Sequence, residues 1–423
     1  MSIRNVDPAD LVCRISLFAW AFVSWPVLFS SADWPGLLGP KRDGFASSSP
    51  VLSDHSKSSP KLLWEIDAGQ GYAGAAIQQD RVVMFFREGA NDVIQAVSLG
   101  QGEPIWKTTF PATYRQGIDS DTGPRCVPQI ADGKVFAHCA SGTLHCVELA
   151  SGKKLWSREL RKEYGAEDGY FGAGSTPLVF DNSVIVNVGG RKKGGVVAVS
   201  VADGKTLWQA TDADSSYASP ILWNQQIVVP TRLETYGLKP TDGSVLWKFP
   251  FGQRGPTVNA ATPVVTQENN LFLTSSYGIG FVIAKQDGQK VKILQKGDAI
   301  SSQYATPIAV GESIYGSDGR EDGGYTSFQC IDSTTGKSVW SEPGLPICHV
   351  IGLPGQAGAN LLLVGINGKL VLIPASREGF KPIWTTQLPL LEGKYRALPA
   401  LSKNLLVVRT SGGSNAKWRC FEL

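Results

Sequence analysis

The eleven residues Ala198–Trp208, AVSVADGKTLW, recur along this chain, and a recurrence of that kind constrains the fold more than any single residue. Each copy reads as a strand, a tight turn at Asp-Gly and a second strand bearing a large aromatic. Asp-Gly is expected to supply the positive φ angles of a two-residue hairpin. The unit returns as Ala96…Gly102…Trp106, Cys146…Gly152…Trp156, Leu238…Gly243…Trp247 and Cys330…Gly336…Trp340, always with four residues from Gly to Trp. Gly379…Trp384 is one residue longer, and Gly288…Lys292 keeps the turn without the indole.

The unit resembles the tryptophan-docking motif of pyrroloquinoline quinone (PQQ) type β-propellers, A-x-D-x-x-T-G-K-x-x-W, best matched by the copies ending at Trp208 and Trp340. The resemblance runs from about Lys61 to Leu423. It implies that Trp64, Trp106, Trp156, Trp208, Trp247, Trp340 and Trp384 are docking residues, each packed between neighbouring blades. Short apolar runs alternate with turn clusters and no 3.6-residue period is sustained, so many short strands and little helix are expected. The third blade should run Ser175–Phe180, Ser183–Val188, Gly195–Val201 and Lys205–Thr211. Docking positions 64, 106, 156, 208, 247, 292, 340 and 384 lie about 46 residues apart, which suits four-stranded blades. Eight positions give an all-β, eight-bladed propeller. The chain stops at Cys420–Phe–Glu422–Leu423, the first half of a motif, while Lys61–Leu–Leu–Trp64 supplies the K-x-x-W half. The N-terminal strand is therefore expected as the outer strand of the last blade, closing the ring and removing its open edges.

Residues 1–32 stand apart from this pattern. Arg4 and Arg14 precede an apolar run from Ile15 to Phe29, followed by Ser30–Ser31–Ala32, which reads as a signal peptide cleaved after Ala32. The run is short for a transmembrane helix, which needs roughly 20 residues, so membrane association is expected only through an uncleaved signal segment. Cys13 precedes the apolar run, which is not the placement of a lipid-anchor cysteine. Residues 33–60 form a leader, and Trp34…Gly39–Pro40–Lys41–Arg42–Asp43–Gly44 resembles the leader of exported PQQ-like propellers of planctomycete-type bacteria. The Ser- and Pro-rich stretch 46–60 reads as an extended crossing segment. The propeller itself would occupy 61–423, as a monomer in the periplasm or outside the cell. A net charge of +3 with scattered basic residues, Arg191–Lys192–Lys193 among them in a hairpin tip, gives no footing for nucleic acid.

Six cysteines would remain after cleavage, an even number that in an exported chain ordinarily suggests disulfides. The repeat argues for packing instead. Cys146, Cys330 and Cys420 replace the small alanine of the motif, and Cys126 and Cys348 fill a second slot held elsewhere by Ala73, Ala218, Ala261, Ala305 and Ala397. Cys139 and Cys146 are the only plausible bridge, on one hairpin.

A second repeat marks the start of each blade's first strand: Val127–Pro128, Thr176–Pro177, Ser219–Pro220, Thr262–Pro263, Thr306–Pro307 and Leu398–Pro399, with Ala75 and Val350 in the proline position of blades 1 and 7. Three residues earlier stand Tyr72, Arg125, Gly174, Tyr217, Ala260, Tyr304, Ile347 and Arg396. Around a ring, a shared offset becomes a spatial cluster, so Tyr72, Arg125, Tyr217, Tyr304 and Arg396 should face one end of the central funnel, with His349 beside them. Such side chains combine contact area with hydrogen bonding and suit recognition, though they could equally cap the channel. The loops Phe110–Pro124 and Arg161–Gly174, the latter with Glu163, Glu167, Asp168, Tyr170 and Phe171, should open beside them.

Other motifs carry no chemistry. Ser151–Lys154 satisfies S-x-x-K but is the turn of a repeat, and Ile331 occupies the place of the upstream glycine of a P-loop before Gly336–Lys337–Ser338. Asp119–Ser–Asp121–Thr–Gly123 is a calcium-loop fragment without its distal Glu. Quinoprotein dehydrogenases of the resembled family stack PQQ under a vicinal disulfide beside Ca²⁺ held by carboxylate and amide groups. This chain has no adjacent cysteines, is short for such an enzyme, and offers no metal ligands by sequence. The resemblance is better in size to the non-catalytic branch, similar to the propeller subunit of the outer-membrane β-barrel assembly machinery. It implies an exported binding or scaffold protein without cofactor or metal, engaging a protein or small ligand at one funnel; a PQQ-dependent dehydrogenase is the alternative.

Overall fold

A computed structural model describes residues 33–48, 59–115, 118–255, 257–355, 358–389, 393–411 and 415–423. The expected signal peptide and most of the 46–60 crossing segment lie outside the described residues. The described chain forms eight antiparallel sheets of four strands each, and the first strands of successive blades meet in a ring. Helix is confined to Leu160–Tyr164 among the described residues. In blade 1 the strands are Ala76–Gln78, Arg81–Glu88, Asn91–Ser98 and Pro104–Pro111. In blade 3 the first strand is Leu178–Phe180, shorter than the sequence suggests, because Pro177 has no N–H to give a ladder.

The ring closes through the chain ends. Lys61–Asp67 pairs with Lys417–Glu422, with Trp64 opposite Cys420, and completes the blade formed by Ala400–Ser402, Leu405–Arg409 and Lys417–Glu422. Cross-terminal ion pairs accompany it, Arg419 with Glu65 at 2.6 Å and Lys417 with Asp67.

The repeated turn is not the two-residue hairpin expected. Ser200 donates its N–H to the Lys205 carbonyl, enclosing four residues, and Gly204 alone in the turn has positive φ, 72°. The Gly204 N–H returns to the Ser200 carbonyl, and the same pair of bonds recurs at Ser98–Glu103, Glu148–Lys153, Lys239–Ser244 and Asp332–Lys337. A register shift follows in each case, so the motif is a wider loop with a bulge.

That glycine also explains the docking. A Cβ on Gly102 would lie 2.7 Å from Trp64, and one on Gly152, Gly204 or Gly243 would strike Trp106, Trp156 or Trp208 of the preceding blade. The indole N–H groups of Trp64, Trp106, Trp156, Trp208 and Trp340 then donate to carbonyls of Leu99, Leu149, Val201, Pro240 and Ser376 in the next blade. Trp247 still packs between blades 4 and 5, but its N–H goes to Gln226 in its own blade, and Trp223 makes the crossing bond to Asn269. Trp384 is half-buried against the core of blades 7, 8 and 1. Where Lys292 lacks an indole, Phe281 from the neighbouring strand takes the place, 2.4 Å from a Cβ on Gly336.

All six described cysteines are buried and unbridged, including Cys139 and Cys146. Burial pushes the thiols of Cys126, Cys146, Cys348 and Cys420 up to about 12, so they behave as small apolar side chains. Reductant is therefore expected to leave the melting temperature unchanged, and a thiol reagent should label these groups only after unfolding. A bridge between Cys139 and Cys146 would show as two missing thiols in the denatured chain.

Candidate functional site

The leader decides which end of the axis is open. Trp34 pairs with Ile77 in blade 1, Pro35 accepts the Ile130 N–H of blade 2, and Gly44 and Ala46 bond Gly352 in blade 7. Between these anchors the Arg42 guanidinium donates to Gln129 and to the carbonyls of Thr176 and Pro177. Residues 33–46 thus cross the channel mouth, and Leu37 and Leu38 pack on Val127 and Leu398.

The serine and threonine of the second repeat tie blades together. The Val127 N–H donates to Thr176 Oγ1, Thr176 to Ser219 Oγ, Ser219 to Thr262 Oγ1 and Thr262 to Thr306 Oγ1, at 2.9 to 3.3 Å. The departures have local causes. Gly74 takes the slot in blade 1 because a Cβ there would sit 2.4 Å from the Leu398 carbonyl. Val127 and Leu398 lie where the leader's leucines need an apolar surface.

Above this floor lies a cavity of about 550 Å³, lined by all six side chains singled out from sequence: Tyr72, Arg125, Tyr217, Tyr304, His349 and Arg396. Residues the repeat did not flag join them, notably Leu37 from the leader, Asp119, Phe171, Glu321 and Lys394. Glu321 and Tyr277 sit in loops between the second and third strands of blades 6 and 5, outside the offset that was followed. Each stands fourteen residues after the proline of its blade, Pro307 and Pro263, and that shared spacing is the signal. Of the acidic residues in the second long loop none lines the cavity: Glu163 pairs with Arg158, Glu167 with Arg191 and Asp168 with Arg161. Phe171 is the loop's contribution, and the two long loops are joined by the Ile118 N–H to the Tyr170 carbonyl.

The tyrosine hydroxyls are already engaged. Tyr72 donates to Asp119 at 2.7 Å, Tyr304 donates to Glu321 at 2.9 Å, and Tyr217 accepts the Phe171 N–H at 2.8 Å. Burial raises the pKa of all three above the usual phenol value; the charges of Asp119 and Glu321 add to the rise at Tyr72 and Tyr304. Arg125 and Arg396 stand over the Tyr72 ring at 5.5 and 4.9 Å from its centroid, and Arg396 also stands over Tyr304 at 5.1 Å. Arg125 bonds only the carbonyls of Gly123 and Asp121. Arg396 shares Glu321 with Lys394 and Tyr304. Burial works to raise the Glu321 pKa, but the Lys394 bond and the charge of Arg396 outweigh it and hold the carboxyl below its usual value. His349 is 3% exposed, its Nε2–H donates to the Arg396 carbonyl, and burial lowers its pKa to about 4, leaving Nδ1 as an unpartnered acceptor.

The carboxylates beside the cavity already accept bonds from within the protein. Asp119 takes Tyr72 and the Asp121 N–H, Asp121 takes the N–H groups of Gly71 and Gly123, and Glu321 takes three donors. No cluster of three metal-ligating side chains occurs among the described residues.

Residues 90–342 match the family described as outer membrane protein assembly factor BamB. A curated relative of that name from Xanthomonas campestris is 24% identical over 235 residues, 52% of this chain and 55% of the relative, so the chain spans about half the length of that relative. Among solved structures, BamB from Moraxella catarrhalis superposes with a TM-score of 0.61 at 15% identity, covering 86% of this chain and 98% of that one. A quinohemoprotein alcohol dehydrogenase from Comamonas testosteroni gives 0.64 at 13% identity, covering 92% and 80%. Likeness at these identities speaks to fold alone.

Proposed function

Because this chain belongs to the family described as outer membrane protein assembly factor BamB, we propose that it is an exported, non-catalytic β-propeller that engages a partner at the tyrosine and arginine funnel. The observation that carries the reading is the pair of guanidiniums over Tyr72, both with donors left over, above a floor sealed by the leader. Guanidinium donors left without partners in a cavity suit an acceptor from outside, because charge-assisted bonds are the strong ones. A cofactor-free role agrees with carboxylates that are all engaged within the protein. The names of the relatives favour a protein partner in assembly at the outer membrane.

The double substitution Arg125→Ala, Arg396→Ala tests the reading. Proteins from envelope extracts that the wild-type chain holds should be lost from the variant, with little change in melting temperature. Arginines that merely cap the channel would do the opposite, lowering the melting temperature and leaving capture intact.

A further inference from the structure

We propose that the funnel recognises a carboxylate standing on an apolar, ring-sized body: an aromatic acid, or a polypeptide ending in an apolar residue with its terminal carboxylate free. This deepens the funnel reading and rests on it. The first support is an inventory of donors and acceptors. Of the five guanidinium N–H groups of Arg125, two have protein partners, both backbone carbonyls. Arg396 gives its Nε to Glu321 and bonds the Tyr304 side chain, which leaves three of its five N–H groups. Along the floor, Thr176, Ser219, Thr262 and Thr306 spend their oxygens on N–H groups and keep their O–H protons. Tyr217 likewise accepts a bond and keeps its proton. Side-chain acceptors are scarce by comparison. Asp119 accepts two bonds and Glu321 three, Asp322 pairs with Arg320, and among the described lining residues His349 Nδ1 is a buried acceptor without a partner. A site so rich in donors suits a ligand rich in acceptors.

The second support is the uneven distribution around the ring. Arg396, Tyr72 and Arg125 come from blades 8, 1 and 2, whereas Phe171, Gly174, Tyr217, Val258 and Ala260 line the side of blades 3 to 5. That side is held flat for contact: a Cβ on Gly174 would lie 2.2 Å from Tyr217, whose ring meets Phe171 edge-on at 5.8 Å. An acceptor group at the arginines with an apolar body across the Tyr217 side satisfies both halves, in a cavity of a size usual for small ligands.

Binding of defined probes to the full chain, by calorimetry, tests this. The probes are a short Gly/Ser peptide ending in phenylalanine as free acid, the same peptide amidated, 3-phenylpropionate, and PQQ. The free acid should bind at least about tenfold more tightly than the amide, and Arg125→Gln should remove that preference while the protein keeps its melting temperature. Binding of 3-phenylpropionate as tightly as the peptide assigns the ligand to small acids; peptide alone assigns it to chain ends. Equal binding of acid and amide, or tight binding of PQQ alone, overturns the ligand class. The funnel reading would then still stand if the double arginine variant loses its partners. Acid binding that neither Arg125→Gln nor Tyr217→Ala alters overturns both.

Discussion

Deletion of residues 33–66 is expected to lower the melting temperature of the entire propeller and to make it associate. The lost segment includes most of the outer strand of the last blade, so Lys417–Glu422 would become a bare edge ready to pair with another chain. Trp64→Ala isolates the closure from the leader's other contacts. It removes an indole that covers Gly102 and donates to the Leu99 carbonyl at 2.8 Å, and should cost about 3–5 kcal/mol. Calorimetric melting with size-exclusion chromatography reads both effects. A deletion that melts with the intact chain and stays monomeric would show that the ring does not depend on its terminal strand.

A comparable loss is expected on mild acidification. Burial lowers the pKa of His138 and His349 to about 4 and of His145 to about 3, from 6.5 in an unfolded chain. The unfolded state therefore binds these protons first as pH falls below 6.5, and the folded state does so only near 3 to 4. Stability is complete above 6.5 and is lost on descending through that window. At pH 5 each histidine should cost about 2 kcal/mol, at about 1.4 kcal/mol per pKa unit. Urea unfolding at pH 7 and pH 5 should show the three contributions together, and His349→Gln should shrink the difference by about one third. Glu321, held below its ordinary value of 4.5, begins to weaken only below that pH, so the drop between pH 7 and pH 5 belongs to the histidines. Equal stability at pH 7 and pH 5 would mean that water reaches these rings.

The architecture was legible in sequence because each blade repeats the same two physical demands: a glycine that lets an aromatic lie on the turn, and a short first strand opened by proline. Closure was readable because half a motif at Cys420 requires its other half at Lys61. The turn type was misjudged, since Asp-Gly satisfies a two-residue hairpin locally while the bulge after it depends on the neighbouring strand. The replacement of Lys292 by Phe281 was invisible because it comes from a different strand. Five of the funnel side chains emerged from one rotational offset, and His349 from the position just before the proline slot. Glu321 and Lys394, which set the charge around Arg396, come from positions outside that offset. The leader's part in flooring the cavity depends on Leu37 crossing the axis, which no spacing announces.

The chain of hydroxyls from Val127 to Thr306 also bears on how such a ring can change over evolutionary time. Each link asks only for an N–H on one blade and a hydroxyl on the next, so blades 2 to 6 meet their neighbours through one interchangeable joint. A duplication or exchange within that arc would present the same joint on both sides. Blades 7, 8 and 1 meet through contacts found once each: His349 on the Arg396 carbonyl, Gly74 under Leu398, and Gly352 on the leader. Recombination there would break something that no other blade can replace. Arg396 and Tyr72 stand in this fixed sector, so the number of blades could drift while these two groups were inherited intact, whereas Arg125 belongs to the exchangeable arc.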